Sequence, residues 1–261
     1  MELYHNPVST CSQKVRLVLA QKGLQFKSHE IDLLAGGQHD PEYVKLNPNH
    51  VVPTLVDQGA VLLESTLINE YLDDAYPDPP MRPADPVSRH AGRIWTKVLD
   101  QKIHPAGGVV TFAIGPRAML LQQPQEVREA NIAAIPDPVR RAARRSVIEH
   151  GVQAPEFAGA LATMKALLQD MEASLHVADW LSGDIFGLAD AALLPYVLRM
   201  DHLAMTPLIE ARPRVAKWYA RVRELPAYQV AVTDWLPELV VELFRERGRE
   251  AWPEVEALAK D

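Results

Sequence analysis

"YVKLNPNHVVPTLVDQGAVLLES", residues 43–65, contains most of a small sheet and the start of a helix. Its first residues read as a short helix closed by Asn47-Pro48. Two apolar runs follow, separated by Asp57, Gln58 and Gly59, and predict a β-hairpin. The second run ends on Glu64-Ser65. There "STLINEYLDDAYP" takes up a helical pattern, with Leu67, Ile68, Tyr71 and Leu72 on one face and a stop before Pro77. A helix N-terminus presents unpaired N–H groups and a partial positive charge, so this junction suits a carboxylate.

Toward the N-terminus, "ELY" reads as the start of a strand and "CSQKVRLVLAQKG" as a helix. Val15, Val18 and Leu19 fall at i, i+3 and i+4, and Gly23 stands where a C-terminal cap belongs. "LQFKSHEIDL" is a second strand carrying Phe26 and Ile31. The order is β-α-β, a crossover, then β-β-α, which is a layered α/β unit.

In the other direction "PDPPMRPADP", residues 77–86, holds five prolines and reads as a semi-rigid linker. Beyond it the pattern is helical, most clearly where Leu161, Met164, Leu168, Met171 and Leu175 keep helical spacing. The expected division is 1–76, an α/β domain; 77–86, a linker; and 87–261, an all-α domain.

Lys and Arg number 27 against 34 Asp and Glu, giving a net charge of -7, which argues against general affinity for nucleic acid. No apolar run reaches the roughly 18–20 residues that span a bilayer. Glu2 and His5 interrupt what would be the apolar part of a signal peptide. The single cysteine excludes an intramolecular disulfide and fits a reducing compartment. A cytoplasmic protein without membrane or nucleic-acid partners is expected, and no metal site.

This layout resembles the cytosolic glutathione transferases, with a thioredoxin-like N-terminal domain and an all-α C-terminal domain. The NPxxxVPxL…ES pattern of residues 47–65 carries most of the likeness. "STCSQKVRLVLAQKGL" looks like the family's first helix, "INEYLDDAYP" like its third, and "WLSGDIFGLADAALLPYVLR" like the folding motif of its C-terminal domain. The resemblance implies glutathione as cosubstrate. Ser65, with Glu64 beside it, would take the γ-glutamyl end. Val52, before a cis Pro53, would pair with the cysteinyl backbone as an added strand does, and His39 would reach the glycine carboxylate. Val51 stands where the family often has Gln or Lys, which removes a polar contact at that end; His50 is the available substitute.

Catalysis in such enzymes rests on making a thiolate available at neutral pH, and a helix N-terminus with nearby donors lowers a thiol's pKa. "STCSQKVR", residues 9–16, is a sensible address for that. Three alignments compete. The zeta and omega classes put the catalytic position on Ser9, the beta class on Cys11, and the bacterial β-etherases with a serine at this turn on Ser12. The Ser9-x-Cys11 spacing also resembles the glutathione-dependent reductive dehalogenases, in which the cysteine resolves a glutathione adduct by thiol–disulfide exchange. A small buried apolar role for Cys11 stands beside these.

For the acceptor pocket, Trp95, Val98, His104, Val109 and Phe112 are candidates, with His104 able to serve as a general acid. Residues 113–156 exceed the superfamily minimum, and "IPDPVRRAARRSVIEHG" looks like a segment of one bacterial β-etherase branch. In it Arg140 and Arg144, and likewise Arg141 and Arg145, share helix faces and read as a solvated surface, with an acidic partner as the alternative. Gly187 replaces the usual hydroxyl of a capping box whose acid, Asp190, remains. Residues after 232 add two helices.

The expected function is a glutathione transferase acting as a homodimer in detoxification or aromatic degradation. Its thiolate would attack a small electrophile, aromatic or an aryl ether. The alternatives are a reductive dehalogenase or thiol-disulfide reductase using Cys11, and a non-catalytic binding module.

Overall fold

The structure is a computed structural model and describes residues 1–260. Strand β1 (Glu2–His5) leads into helix α1 (Thr10–Gln21), and β2 (Lys27–Glu30) returns parallel to β1. After α2 (Pro41–Leu46), β3 (Thr54–Asp57) and β4 (Ala60–Leu62) complete a mixed sheet of order β2-β1-β3-β4, and α3 (Ser65–Ala75) closes the unit. The hairpin is tighter than the apolar runs suggest. Asp57 pairs with Ala60, and the loop is Gln58-Gly59 alone, both at positive φ, as a two-residue hairpin with right-handed twist requires. Asp57 is therefore a buried strand residue, and it accepts the hydroxyls of Tyr71 at 2.9 Å and Tyr76 at 2.7 Å.

Helix α1 packs against α3 and against the C-terminal domain. Val15, Val18 and Leu19 are fully buried, as their spacing predicts, but so are Lys14 and Arg16. A buried cation needs partners, and both find them. Lys14 donates to Thr66 at 2.8 Å and lies 3.6 Å from the Asp100 carboxylate. Arg16 donates to His5 and to the carbonyls of Asn6, Pro7 and Ala231. Gly23, just past α1, has the positive φ of a C-terminal cap.

The proline segment is fastened rather than loose. Lys22 donates to the carbonyls of Tyr76 and Pro79, each at 2.8 Å, and Asp73 accepts from the Met81 N–H and from Arg82. Helix α4 (Pro86–Val98), a π-helical turn (Leu99–Ile103) and α5 (His104–Ile114) then form one long rod along the interdomain cleft. Helices α6 (Arg117–Gln122), α7 (Gln125–Ala133) and α8 (Pro138–His150) make up the extra segment, and α9 (Phe157–Ser174) packs behind α5.

At the centre lies α10 (Leu188–His202), buried almost throughout. Asp190 near its start accepts from the N–H groups of Leu181, Ser182 and Gly187 and from the Trp218 indole. Gly187 is required by space: a Cβ there would lie 2.4 Å from the Ser182 hydroxyl and 2.6 Å from the Met81 carbonyl oxygen. Helices α11 (Thr206–Glu210), α12 (Pro213–Arg223) and α13 (Pro226–Tyr228), a second π-helical turn (Gln229–Thr233) and α14 (Glu238–Lys260) complete the chain. The tail after residue 232 thus holds one long helix in place of the two expected. Trp235 ahead of it packs on His5, Phe26 and Arg16 of the first domain. Among the described residues no helix is long and apolar enough to cross a membrane, and no group of side chains is arranged to hold a metal ion.

Candidate active site

The loop before α1 is held by its carbonyls. Asn6 and Pro7 accept from Arg16, and Val8 accepts from Arg199 on α10. Ser9 is the N-cap of α1, its hydroxyl oxygen accepting from the Ser12 N–H at 3.3 Å. That bond leaves the Ser9 O–H proton available to a ligand. Ser12 is fully buried and its oxygen accepts from the Asn6 N–H, so it faces into the N-terminal domain and shapes the loop.

Cys11, in the first turn of α1, opens toward the cleft and is partly accessible. Its Sγ lies 3.6 Å from Nδ1 of His104, at the start of α5, and 3.8 Å from the Tyr196 hydroxyl on α10; that hydroxyl is 2.8 Å from the same Nδ1. Burial pushes the Cys11 thiol up. The positive charge of His104 and its hydrogen bond, the Lys14 charge and the Ser65 hydroxyl more than offset this, and the thiol comes down to about 6. The His104 pKa is raised, chiefly by the negative charge on Cys11, against a smaller opposing effect of burial. Tyr196 is held protonated well above its ordinary value by burial and by the neighbouring thiolate. The two shifts favour the form in which a Cys11 thiolate faces a protonated His104, with the Tyr196 hydroxyl as a second donor.

The residues expected to hold glutathione lie in the first domain, and each has a defined setting there. The Val52–Pro53 peptide is cis. Ahead of it, the Tyr43 hydroxyl and the Asn47 amide both donate to the Val51 carbonyl and also bond the Thr54 hydroxyl, fixing the loop. Among the described residues the N–H and C=O of Val52 take no partner within the chain, which leaves a strand-like edge for an added peptide. Ser65 starts α3, buried, and acts on Cys11 through its hydroxyl. Glu64, at φ 65°, keeps its carboxylate exposed and uncommitted to capping. His39 Nδ1 lies 2.8 Å from His50 Nδ1, and burial, then His50, then Arg140 lower the His39 pKa.

The Glutathione S-transferase, N-terminal domain family matches residues 3–80, and the Glutathione S-transferase, C-terminal domain family matches residues 135–226. Maleylacetoacetate isomerase of Pseudomonas aeruginosa is 30% identical over 88% of this chain and 95% of its own length. The chain belongs to the glutathione S-transferase family. Glutathione is the cosubstrate of that family, and the thioredoxin-like and helical domains are its fold. The tetrachloro-p-hydroquinone reductive dehalogenase of Sphingobium chlorophenolicum is 28% identical to this transferase over 88% of the chain and 95% of its own. Among solved structures, the β-etherase LigF from Sphingobium sp. strain SYK-6 superposes with a TM-score of 0.80 at 27% identity, covering 88% of this chain and 97% of that one.

Of the acceptor-side candidates, the structure brings His104 to Cys11 and sets Phe112 farther along α5. Trp95, Val98 and Val109 are half-buried against the hydrophobic core, and among the described residues no hydrogen bond or ring contact links them to Cys11. The reading of the arginine run as a solvated surface holds for Arg145, which is exposed and paired with Glu129. It fails for Arg144, which is enclosed enough that burial lowers its pKa to about 9. Sequence reasoning missed Tyr196, Arg199 and Lys14. The one available signal was a tyrosine and an arginine inside the otherwise apolar run "ALLPYVLR".

Proposed function

We propose that this transferase uses Cys11 as a reacting thiolate in a glutathione-dependent reduction. The observation that carries it is the Cys11 Sγ–His104 Nδ1 approach of 3.6 Å, with Cys11 partly accessible and His104 exposed. The Cys11 thiolate attacks the sulfur of a glutathionyl group bonded to a carbon or to a second sulfur. A Cys11–glutathione disulfide forms, the bond from that sulfur to the leaving group breaks, and the leaving group takes a proton from His104. A second glutathione thiolate then attacks the mixed disulfide, releasing glutathione disulfide and restoring the Cys11 thiolate; the two glutathiones supply both electrons. The likeness to a reductive dehalogenase supports this reading. So does the pairing of a low-pKa cysteine with accessible surface.

The test is intact-mass analysis of the reduced protein mixed with glutathione disulfide. One glutathionyl group on Cys11, formed at a rate that rises through pH about 6 and then levels, is the expected result. No adduct at pH 7 overturns the reading.

A second reading rests on the free Ser9 proton and the likeness to a β-etherase. Here Ser9 holds the glutathione thiolate, which displaces an aryloxide directly, and His104 protonates the leaving oxygen. Cleavage of a β-aryl ether ketone by Cys11→Ala at the wild-type rate would establish it. Under either reading a homodimer is expected. Val61 and Leu67 on the first domain and Val87 and Ile94 on α4 are exposed apolar side chains suited to its contact, and light scattering of the purified protein checks it.

A further inference from the structure

The face of α8 turned away from Glu129 has an unusual property. Arg140 and Arg144 lie one turn apart on it, and among the described residues neither side chain forms an ion pair or a hydrogen bond. Their neighbours on the other face are committed: Arg145 pairs with Glu129, and Arg141 donates to the carbonyls of Ile135 at 2.9 Å and Pro136 at 3.1 Å. The Arg144 guanidinium sits 3.1 Å above the Phe112 ring centroid. Two like charges one helical turn apart repel, and an enclosed guanidinium without a carboxylate is costly. An anion would relieve both.

The surface next to that cation belongs to α5. Positions 104, 108 and 112 repeat at i, i+4 and i+8 and share one side of the helix. Ala106, Gly107, Val110 and Ala113 are buried, while His104 is exposed and Gly108 and Phe112 are partly so. A Cβ built on Gly108 would meet nothing within 4 Å. This side of α5 is therefore an open strip with the Cys11–His104 pair at one end and the Phe112–Arg144 stack at the other. Eight residues of helix set the separation at about 12 Å. That length fits an extended molecule lying on Gly108 and reaching the Phe112–Arg144 stack at its far end.

We propose that Arg144, with Arg140 beside it, receives the carboxylate of an aromatic acceptor whose body lies along Gly108, up to the Phe112–Arg144 stack, and whose reacting end meets Cys11. A guanidinium fork matches a carboxylate with two parallel hydrogen bonds and can remain stacked on the ring beneath it. The other carboxylate at hand is the glycine end of glutathione. Arg140 acts electrostatically on His39 and so borders that end, whereas Arg144, one turn on, is engaged with α5. The proposal rests on the cleft being the reaction site described above.

The test is calorimetric titration of the full chain with 2-naphthoate and with methyl 2-naphthoate, for the wild type and for Arg144→Met and Arg144→Lys. The wild type should bind the acid about tenfold more tightly than the ester. Arg144→Met should lose about tenfold for the acid and under about twofold for the ester, with Arg144→Lys in between. Equal binding of acid and ester by the wild type overturns the proposal, as does equal weakening of both in Arg144→Met. Unchanged naphthoate binding with weakened glutathione binding also overturns it, because the cation then serves the cosubstrate. Should Arg144→Met fail to fold, Arg144→Lys decides alone, since a reduced acid-over-ester preference is still required of it and an unchanged one overturns the proposal. Glutathionylation of wild-type Cys11, measured separately, reports on the functional reading. A selective naphthoate site in a protein without that adduct would sink the reading and not the subsite.

Discussion

Two pairs of enclosed arginines are treated oppositely by the fold. Arg16 and Arg199 are buried, and both are bonded. Arg16 holds four acceptors in three segments, and Arg199 clamps the Val8 carbonyl, reaches the Thr111 hydroxyl and stacks on Phe244. Arg140 and Arg144 are less deeply placed and have only a ring, Phe112, against Arg144. Burial lowers the pKa in both groups, to about 9 for Arg16, about 10 for Arg199 and about 9 for Arg144. What separates them is whether hydrogen-bond partners offset the lost hydration. The first pair is finished by the fold, so its work is structural. The second is unfinished by the fold, so its work points outward.

The most severe test of this contrast is at the thiol that the first pair positions. Cys11→Ala should abolish glutathionylation by glutathione disulfide, read by intact mass, while the denaturation midpoint stays near wild type. Next in size is Arg199→Met. It leaves the Val8 carbonyl without its donor inside the protein, at a cost of about 3 kcal/mol in urea denaturation. Wild-type stability in that variant would erase the distinction between the two pairs.

A smaller and more specific effect belongs to His104→Asn. The folded Cys11 thiol titrates at about 6, below the ordinary thiol value of about 8.5. Thiolate reactivity is therefore present at neutral pH and lost as pH falls through about 6. The stability that the shift contributes is full above about 8.5 and declines from there until pH passes through about 6. Removing the imidazolium moves the midpoint upward and slows alkylation by iodoacetamide at pH 7 about tenfold. An unmoved midpoint would mean that His104 does not set the thiol. The smallest expected change is in the folding stability of Arg144→Met, within about 0.5 kcal/mol of wild type, because no hydrogen bond or ion pair of the fold is lost and the methionine can still pack on Phe112. A large loss there would place Arg144 with the structural pair.

How much of this could be read in the chain depends on distance along it. The hairpin and the Glu64-Ser65 helix start are local, and turn chemistry and apolar spacing announce them, whereas the cis Val52–Pro53 bond was implied only by the family resemblance. The address of the thiol was legible too, because Ser9, Cys11 and Ser12 stand at a helix start. Their separate parts were not legible, because they depend on what faces each side chain. Ser12 turns inward to Asn6, whereas Cys11 meets a histidine 93 positions away and a tyrosine 185 positions away. Tyr196 and Arg199 hide in an apolar stretch that periodicity assigns to core, where most of α10 indeed lies. Arg140 and Arg144 misled for the opposite reason. Charged residues at helical spacing usually face water, and only the packing of α8 onto α5 turns one face inward.

Arg16 also has a consequence for how the protein is made. Its partner Ala231 lies 215 residues later in the chain, which at roughly 5–20 residues per second is roughly ten to forty seconds of translation. The indole of Trp235 arrives later still. When the first domain emerges from the ribosome, its central helix carries a charge whose companions have not yet been synthesised. The domain that holds the thiol is thus translated well before the residues that complete it.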